Sequence, residues 1–212
     1  MQVNLIGAGP GISQSVAQLF GKQGFTIGLV ARGEEKLRQQ AEALAAQGIE
    51  ARYAAADVAD GPSVGAALDA LGLADLTLFN ASAISIKDIL EQDWETIRSV
   101  FEVNTGGAFH VAKKVLPLYL ARNAGKLFFT GGGSALAGDP QWTALGIGKA
   151  GMRNLVQALV KRAEGSNVHV AQLTVRGMVS PQSEKHNPDA IAAQYWRLWL
   201  QEPGSFEAEV MY

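Results

Sequence analysis

The chain has 212 residues, of which 48% are hydrophobic and 18% charged, with a formal net charge of −2. One domain spanning residues 1–212 is expected at this length, and no apolar run reaches the roughly 18 residues that a membrane-spanning helix needs. The slight acidic excess speaks against nucleic-acid binding, which needs a basic face. The absence of cysteine excludes disulfides, thiol catalysis and thiolate metal sites. The opening MQVNLIGAG enters a strand without a charged or apolar leader, so a cytoplasmic protein with no membrane partner is expected.

In chain order, residues 3–6 form a short apolar run ending in glycines, consistent with a buried first strand. A helix is predicted over 11–23, with Val16, Ala17, Leu19 and Phe20 on one face, then a strand over 26–31 (TIGLVA). Good helix formers over 34–47 meet a stop at Gly48. A strand over 49–55, a helix over 60–71 and a short strand over 76–79 follow. One long helix is predicted over 93–121, a strand over 126–130, a helix over 143–164 and a strand over 168–175 (VHVAQLTV). The last helix covers 188–201, with Asn187 as N-cap and Pro188 at its first position, and residues 206–210 close the sheet.

Strands alternating with helices imply right-handed crossovers and a parallel sheet. The apolar rather than alternating strands fit a sheet covered on both faces. The predicted fold is therefore α/β, a doubly wound Rossmann-type sheet of about seven strands. In such a sheet a ligand binds at the carboxyl ends of the strands, beside the first strand. There the sequence reads Ile6-Gly7-Ala8-Gly9-Pro10-Gly11-Ile12-Ser13. Gly7, Gly9 and Gly11 let the backbone approach a pyrophosphate, whose charge then sits at the start of the next helix, at Ile12. Arg32 ends the second strand, where an acid would grip free ribose hydroxyls and an arginine suits a 2′-phosphate. NADP is therefore favoured over NAD.

The spacing from Gly7 to Ser13 fits G-x-x-x-G-x-G with serine for the last glycine, not G-x-G-x-x-G. With the segments that follow, it resembles the short-chain dehydrogenase/reductase family over nearly the whole chain. The resemblance implies that Asp57 and Val58 contact the adenine, and that Asn80-Ala81-Ser82 stands for the family's Asn-Ala-Gly beside the cofactor. It implies that Gly177 and Val179, within Arg176-Gly177-Met178-Val179-Ser180-Pro181, grip the nicotinamide carboxamide through backbone. It also implies a homodimer or homotetramer through the two long helices, whose apolar residues Ile97, Phe101, Ala108, Val111, Val115, Leu155, Ala158 and Leu159 exceed what one sheet face covers. The histidines His110, His169 and His186 show no metal-ligand spacing, and no metal is expected.

The family's catalytic set is an asparagine, a serine, a tyrosine and a lysine. Asn104, within Val103-Asn104-Thr105-Gly106-Gly107, matches the asparagine, which the family accommodates by a helix distortion with a water relay toward the lysine. Lys149 matches the lysine, which would hold the nicotinamide ribose. The tyrosine position, one turn earlier on the same face, is Leu145. The serine interval lands on Gly132, with Ser134 two residues on as the candidate catalytic hydroxyl. His110 and Tyr195 are the remaining acids, neither at the right spacing. The late aromatic stripe Tyr195, Trp196, Trp199 and Leu200 reads as core or subunit interface before pocket lid. The expected function is an NADP-dependent oxidoreductase acting on a small carbonyl or activated double bond with an atypical active site. The alternative is a non-catalytic NADP-binding sensor or assembly subunit.

Overall fold

The apolar runs resolve into seven parallel strands in a computed structural model that describes residues 1–212. The strands are β1 (Gln2–Ile6), β2 (Thr26–Ala31), β3 (Ala51–Ala55), β4 (Leu76–Phe79), β5 (Gly125–Gly132), β6 (Val168–Val175) and β7 (Glu209–Met211). Their spatial order is β3-β2-β1-β4-β5-β6-β7. The chain winds outward from β1 in one direction, then crosses back to β4. The crevice of a doubly wound sheet therefore opens between β1 and β4, where the strand order reverses.

Helices α1 (Ile12–Lys22), α2 (Glu34–Ala45) and α7 (Pro188–Trp199) cover one face. Val16, Phe20, Leu37, Leu44, Ile191 and Leu198 pack there on Leu5, Leu29, Leu78, Phe128 and Leu173 of the strands. Helices α3 (Gly61–Leu71), α4 (Trp94–Phe101), α5 (Gly107–Arg122) and α6 (Thr143–Ala163) cover the other. Val64, Leu68, Val111, Val115, Met152 and Val156 meet Ile6, Phe79, Leu127 and Phe129. Two separate apolar layers explain why central strands such as β4 and β6 are buried at every position. β3 differs: as an edge strand it leaves Arg52, Tyr53 and Ala55 exposed, so the expectation of full two-sided cover fails there.

The three largest departures from the expected boundaries lie at the long helix, β5 and β7. The helix predicted over 93–121 is two helices joined by a π-turn at Glu102–Gly106. β5 runs on through Gly131 and Gly132 because β6 offers Thr174 and Val175 as ladder partners. β7 pairs through Glu209 to Met211 with Gln172 to Thr174, later than the apolar run at 206. The cap at α7 is as read: Asn187 Oδ1 accepts from the Ala190 amide at 2.8 Å, with Pro188 opening the helix.

The supposed interface stripe divides. Ala108, Val111 and Val115 are fully buried against the sheet of their own chain, so they are unavailable to a partner. Phe101 stays exposed and Ile97 half-exposed. The late aromatics are core: the Phe20 and Phe25 rings pack edge-on against Trp196 and Trp199 at centroid distances of 5.1–6.3 Å, and only Leu200 of that stripe is exposed.

Candidate functional site

The turn after β1 is built by glycines with different tasks. Gly7 has φ +94, and a Cβ there would stand 2.5 Å from Ala81 Cα. Its bare face lets the end of β1 lie on the backbone of Asn80 and Ala81 at the end of β4. The amides of Gly7 and Ala8 both donate to Val30 O, at 2.8 and 2.9 Å. Gly9 and Gly11 face open space, with no heavy atom within 4 Å of a Cβ at either. Gly11 is the N-cap of α1 at φ +94 with no side-chain cap, so the first-turn amides from Ile12 onward have no helical acceptor. Ser13 replaces the last glycine by working inward. Its buried hydroxyl donates to Gly7 O and accepts from Asn80 Nδ2, both at 2.8 Å. Sequence reasoning gave Ser13 no role. The result is a rigid turn with bare backbone and unspent donors on its outer side, the features a pyrophosphate requires.

Beside it, Arg32 is exposed at the end of β2 and pairs with no carboxylate, and the same holds for Arg176 after β6. Asp57 is exposed, and its Oδ1 accepts from the Ala59 amide at 3.0 Å, leaving the rest of the carboxylate free. Val58 is buried in the α3–α5 layer, 3.0 Å from the Cβ position of Gly107.

At the carboxyl ends of β4 and β5 lie the catalytic candidates. Asn104 is fully buried in the π-turn. Its Nδ2 donates to Val100 O and Ala83 O, each at 2.9 Å, while its Oδ1 accepts from Ser82 Oγ at 2.9 Å. An unsatisfied buried amide would be costly. Here every hydrogen-bonding atom finds a partner, and two of those partners belong to the segment after β4. Ser82, where the resemblance implies glycine, is thus a bracket between the strand end and the π-turn that the sequence did not reveal.

Lys149 is 6% exposed on the sheet-facing side of α6. Its Nζ donates to Thr130 O at 2.9 Å. Burial, with no charged partner, pushes its pKa down to about 8. Leu145 lies one turn before it, half-buried. A Cβ at Gly132 would have Ser134 Oγ at 3.6 Å and Lys149 Cγ at 3.9 Å. Ser134 sits in the 3₁₀ turn Gly133–Ala135, so its hydroxyl borders the space that the glycine leaves vacant. Gly132, Ser134 and Lys149 thus border one gap, with Leu145 one turn before Lys149 on α6.

Two candidate acids fall outside it. Tyr195 is fully buried in the α7 layer, its hydroxyl 2.7 Å from Thr130 Oγ1. Burial raises its pKa. His110 packs its ring against Gly61 at the start of α3. After β6, Gly177 and Val179 are exposed. The His186 ring occupies the side-chain room of Gly177 and stands edge-on to Tyr212. The Tyr212 carbonyl accepts from the Arg176 amide at 2.6 Å. The loop that would grip a nicotinamide is thus braced by two residues that sequence reasoning did not single out for it.

No helix is long and apolar enough to cross a membrane, and no group of His, Cys, Asp or Glu side chains forms a metal site. A family profile described as short chain dehydrogenase matches residues 2–190. Among curated relatives, 3-dehydrosphinganine reductase TSC10B of Arabidopsis thaliana is 29% identical over 175 residues, 81% of this chain and 53% of its own length. The chain thus spans about half of that relative. Oxidoreductase UcpA of Salmonella typhimurium is 26% identical over 194 residues, 87% of this chain and 73% of the relative. A solved short-chain dehydrogenase from Rhodopseudomonas palustris superposes with TM-score 0.89 at 29% identity, covering 100% of this chain and 97% of that one. The crossover sheet, the glycine turn, the asparagine π-turn and this match over most of the chain lead to one conclusion: the chain belongs to the short-chain dehydrogenase family.

Proposed function

We propose that the chain works as one dinucleotide-binding unit, an NADP-dependent oxidoreductase acting on a small carbonyl or activated double bond. The observation that carries the reading is Lys149. An ammonium buried without a counter-charge costs stability, and a neutral side chain would fill the same space more cheaply. Such a cost persists where a ligand uses the charge, and the ribose hydroxyls of a dinucleotide are acceptors suited to it.

The residues fit the cofactor. Gly9, Gly11 and Ile12 would receive the pyrophosphate, with Gly7 holding the turn in place. Arg32 would pair bidentately with a 2′-phosphate, Asp57 and Val58 would border the adenine, and Asn80 and Ala81 would flank the ribose. Gly177 and Val179 would offer backbone to the carboxamide. When bound, the nicotinamide supplies or accepts the hydride. Asn104 fixes the π-turn beside Lys149, and Ser134 offers a hydroxyl toward the substrate oxygen. Relatives named as a reductase and an oxidoreductase support turnover over mere binding. A homodimer or homotetramer through the α4 and α6 surface, in the cytoplasm, completes the reading.

The second reading, an NADP-binding subunit without chemistry, is favoured by Leu145 and the bare Gly132. Leu145→Tyr separates the two. If the frame is competent, NADPH consumption with a panel of aldehydes, ketones and enones rises more than tenfold, within the roughly 10²–10⁴-fold range of a positioned acid. No turnover in either protein, with NADPH bound, selects the binder.

A further inference from the structure

Lys149 stands buried beside the gap at Gly132, one turn after Leu145, which holds the position where the resemblance implies a tyrosine. We propose that Lys149 Nζ is itself the proton donor to the substrate oxygen, in place of the side chain that Leu145 replaces. The inference rests on the oxidoreductase reading and extends it to the acid.

The geometry supports the assignment from three sides. First, the Lys149 ammonium carries three N–H bonds and spends one, on Thr130 O at 2.9 Å. Two remain, enough for one ribose hydroxyl and one substrate oxygen. Second, the lysine stem borders the gap at Gly132, where a Cβ would meet nothing closer than Ser134 Oγ at 3.6 Å and Lys149 Cγ at 3.9 Å. No side chain at 132 stands between the amine and a reacting carbonyl. Third, the other acids nearby are committed elsewhere, with Tyr195 on Thr130 Oγ1 behind the sheet and His110 against Gly61.

The charged groups on the elements around Lys149 do not hold its proton. Arg153 on α6 pairs with Glu209 of β7, and Glu102 of the π-turn pairs with Arg98 of α4. Arg176 after β6 faces solvent. The shift of Lys149 has burial as its cause, with no charge contribution from any neighbour. An amine so placed, at about 8, is mostly protonated at neutral pH and gives the proton up more readily than an ordinary lysine, which suits a general acid. The step balances. The carbonyl carbon gains a hydride with its electron pair from the reduced nicotinamide, and the C=O π pair moves to oxygen. An Nζ–H bond breaks as an O–H bond forms. Lys149 is left as a neutral amine that regains a proton from water.

The test joins a titration that needs no cofactor to a rate measurement. In the full chain labelled with [13C]lysine, the Lys149 Cε resonance, assigned by its loss in Lys149→Arg, is followed from pH 6 to 11. The expected midpoint is near 8, and a midpoint above 10 overturns the proposal. Single-turnover reduction of 4-nitrobenzaldehyde by prebound NADPH is then followed against pH. The expected rate is level below pH 8 and falls about tenfold per pH unit above it. Lys149→Arg, whose guanidinium does not release its proton, loses at least 100-fold in rate and the pH limb with it. An unchanged rate or limb in Lys149→Arg overturns the proposal. If Leu145→Tyr reduces the aldehyde and the wild type does not, Lys149 is not the acid while the oxidoreductase frame stands. If NADPH binds and neither protein reduces the aldehyde, the oxidoreductase reading fails and takes this proposal with it.

Discussion

Lys149→Met should reverse its effect on stability as pH rises. In the native chain the amine ionises at about 8, whereas an unfolded lysine does so near 10.4. Because the folded value is the lower one, the native state binds fewer protons between those pH values. Stability of the wild type therefore rises with pH across that window and is lowest below pH 8. The difference is worth about 3 kcal/mol at neutral pH. Methionine removes this cost but strands Thr130 O, which loses its ammonium donor, at roughly 1–3 kcal/mol. At pH 7 the variant should thus equal the wild type or exceed it by up to ~2 kcal/mol. Near pH 10.5 it should be the less stable by roughly 1–3 kcal/mol. The robust quantity is the swing of about 3 kcal/mol between the two pH values, because other titrations are common to both proteins. Urea unfolding of both proteins at pH 7, 8, 9, 10 and 10.5 measures it. A stability difference that does not vary with pH would refute the claim that Lys149 is charged, buried and uncompensated.

Four further substitutions probe the site and its surroundings. Arg32→Asp should weaken NADPH at least tenfold and leave NADH unchanged or improved in calorimetric titration. An equal loss for both would remove the 2′-phosphate role. Gly7→Ala sets a side chain at φ +94 against the Asn80–Ala81 backbone and should cost about 3 kcal/mol or more in chemical denaturation, whereas Gly132→Ser, with no atom closer than 3.6 Å to its Cβ, should stay within about 0.5 kcal/mol of wild type. Tyr195→Phe leaves Thr130 Oγ1 without its buried partner and should lose about 1–3 kcal/mol of stability with NADPH affinity intact. A loss of affinity without a loss of stability would return Tyr195 to the pocket.

How much of this was readable beforehand depends on the range of the interactions involved. The strands β2, β4 and β6 fall on the predicted residues, because buried parallel strands announce themselves as unbroken apolar runs. The α7 cap was legible because Asn187 and Pro188 act within one turn. The helix distortion at Asn104 was legible through the resemblance alone and not through periodicity, because the π-turn depends on Asn104 reaching Ser82 and Ala83, more than twenty residues earlier in the chain. The glycines mislead in a similar way. Gly7 reads as a phosphate glycine, yet its bare face is taken by the end of β4, and Gly131 makes room for the Gln172 amide of the neighbouring strand. At the site, Leu145 and Gly132 are visible departures in sequence. The burial of Lys149, its lone acceptor and its lack of a counter-charge emerge only when α6 is laid on β5.

The most direct measurement is calorimetric titration of the purified chain with NADPH and, in parallel, NADH. NADPH should bind, with NADH at least tenfold weaker, because the open Gly9–Gly11 turn would serve both cofactors and the uncommitted Arg32 only one. Binding of neither would leave the glycine turn as packing alone and contradict the oxidoreductase reading at its root.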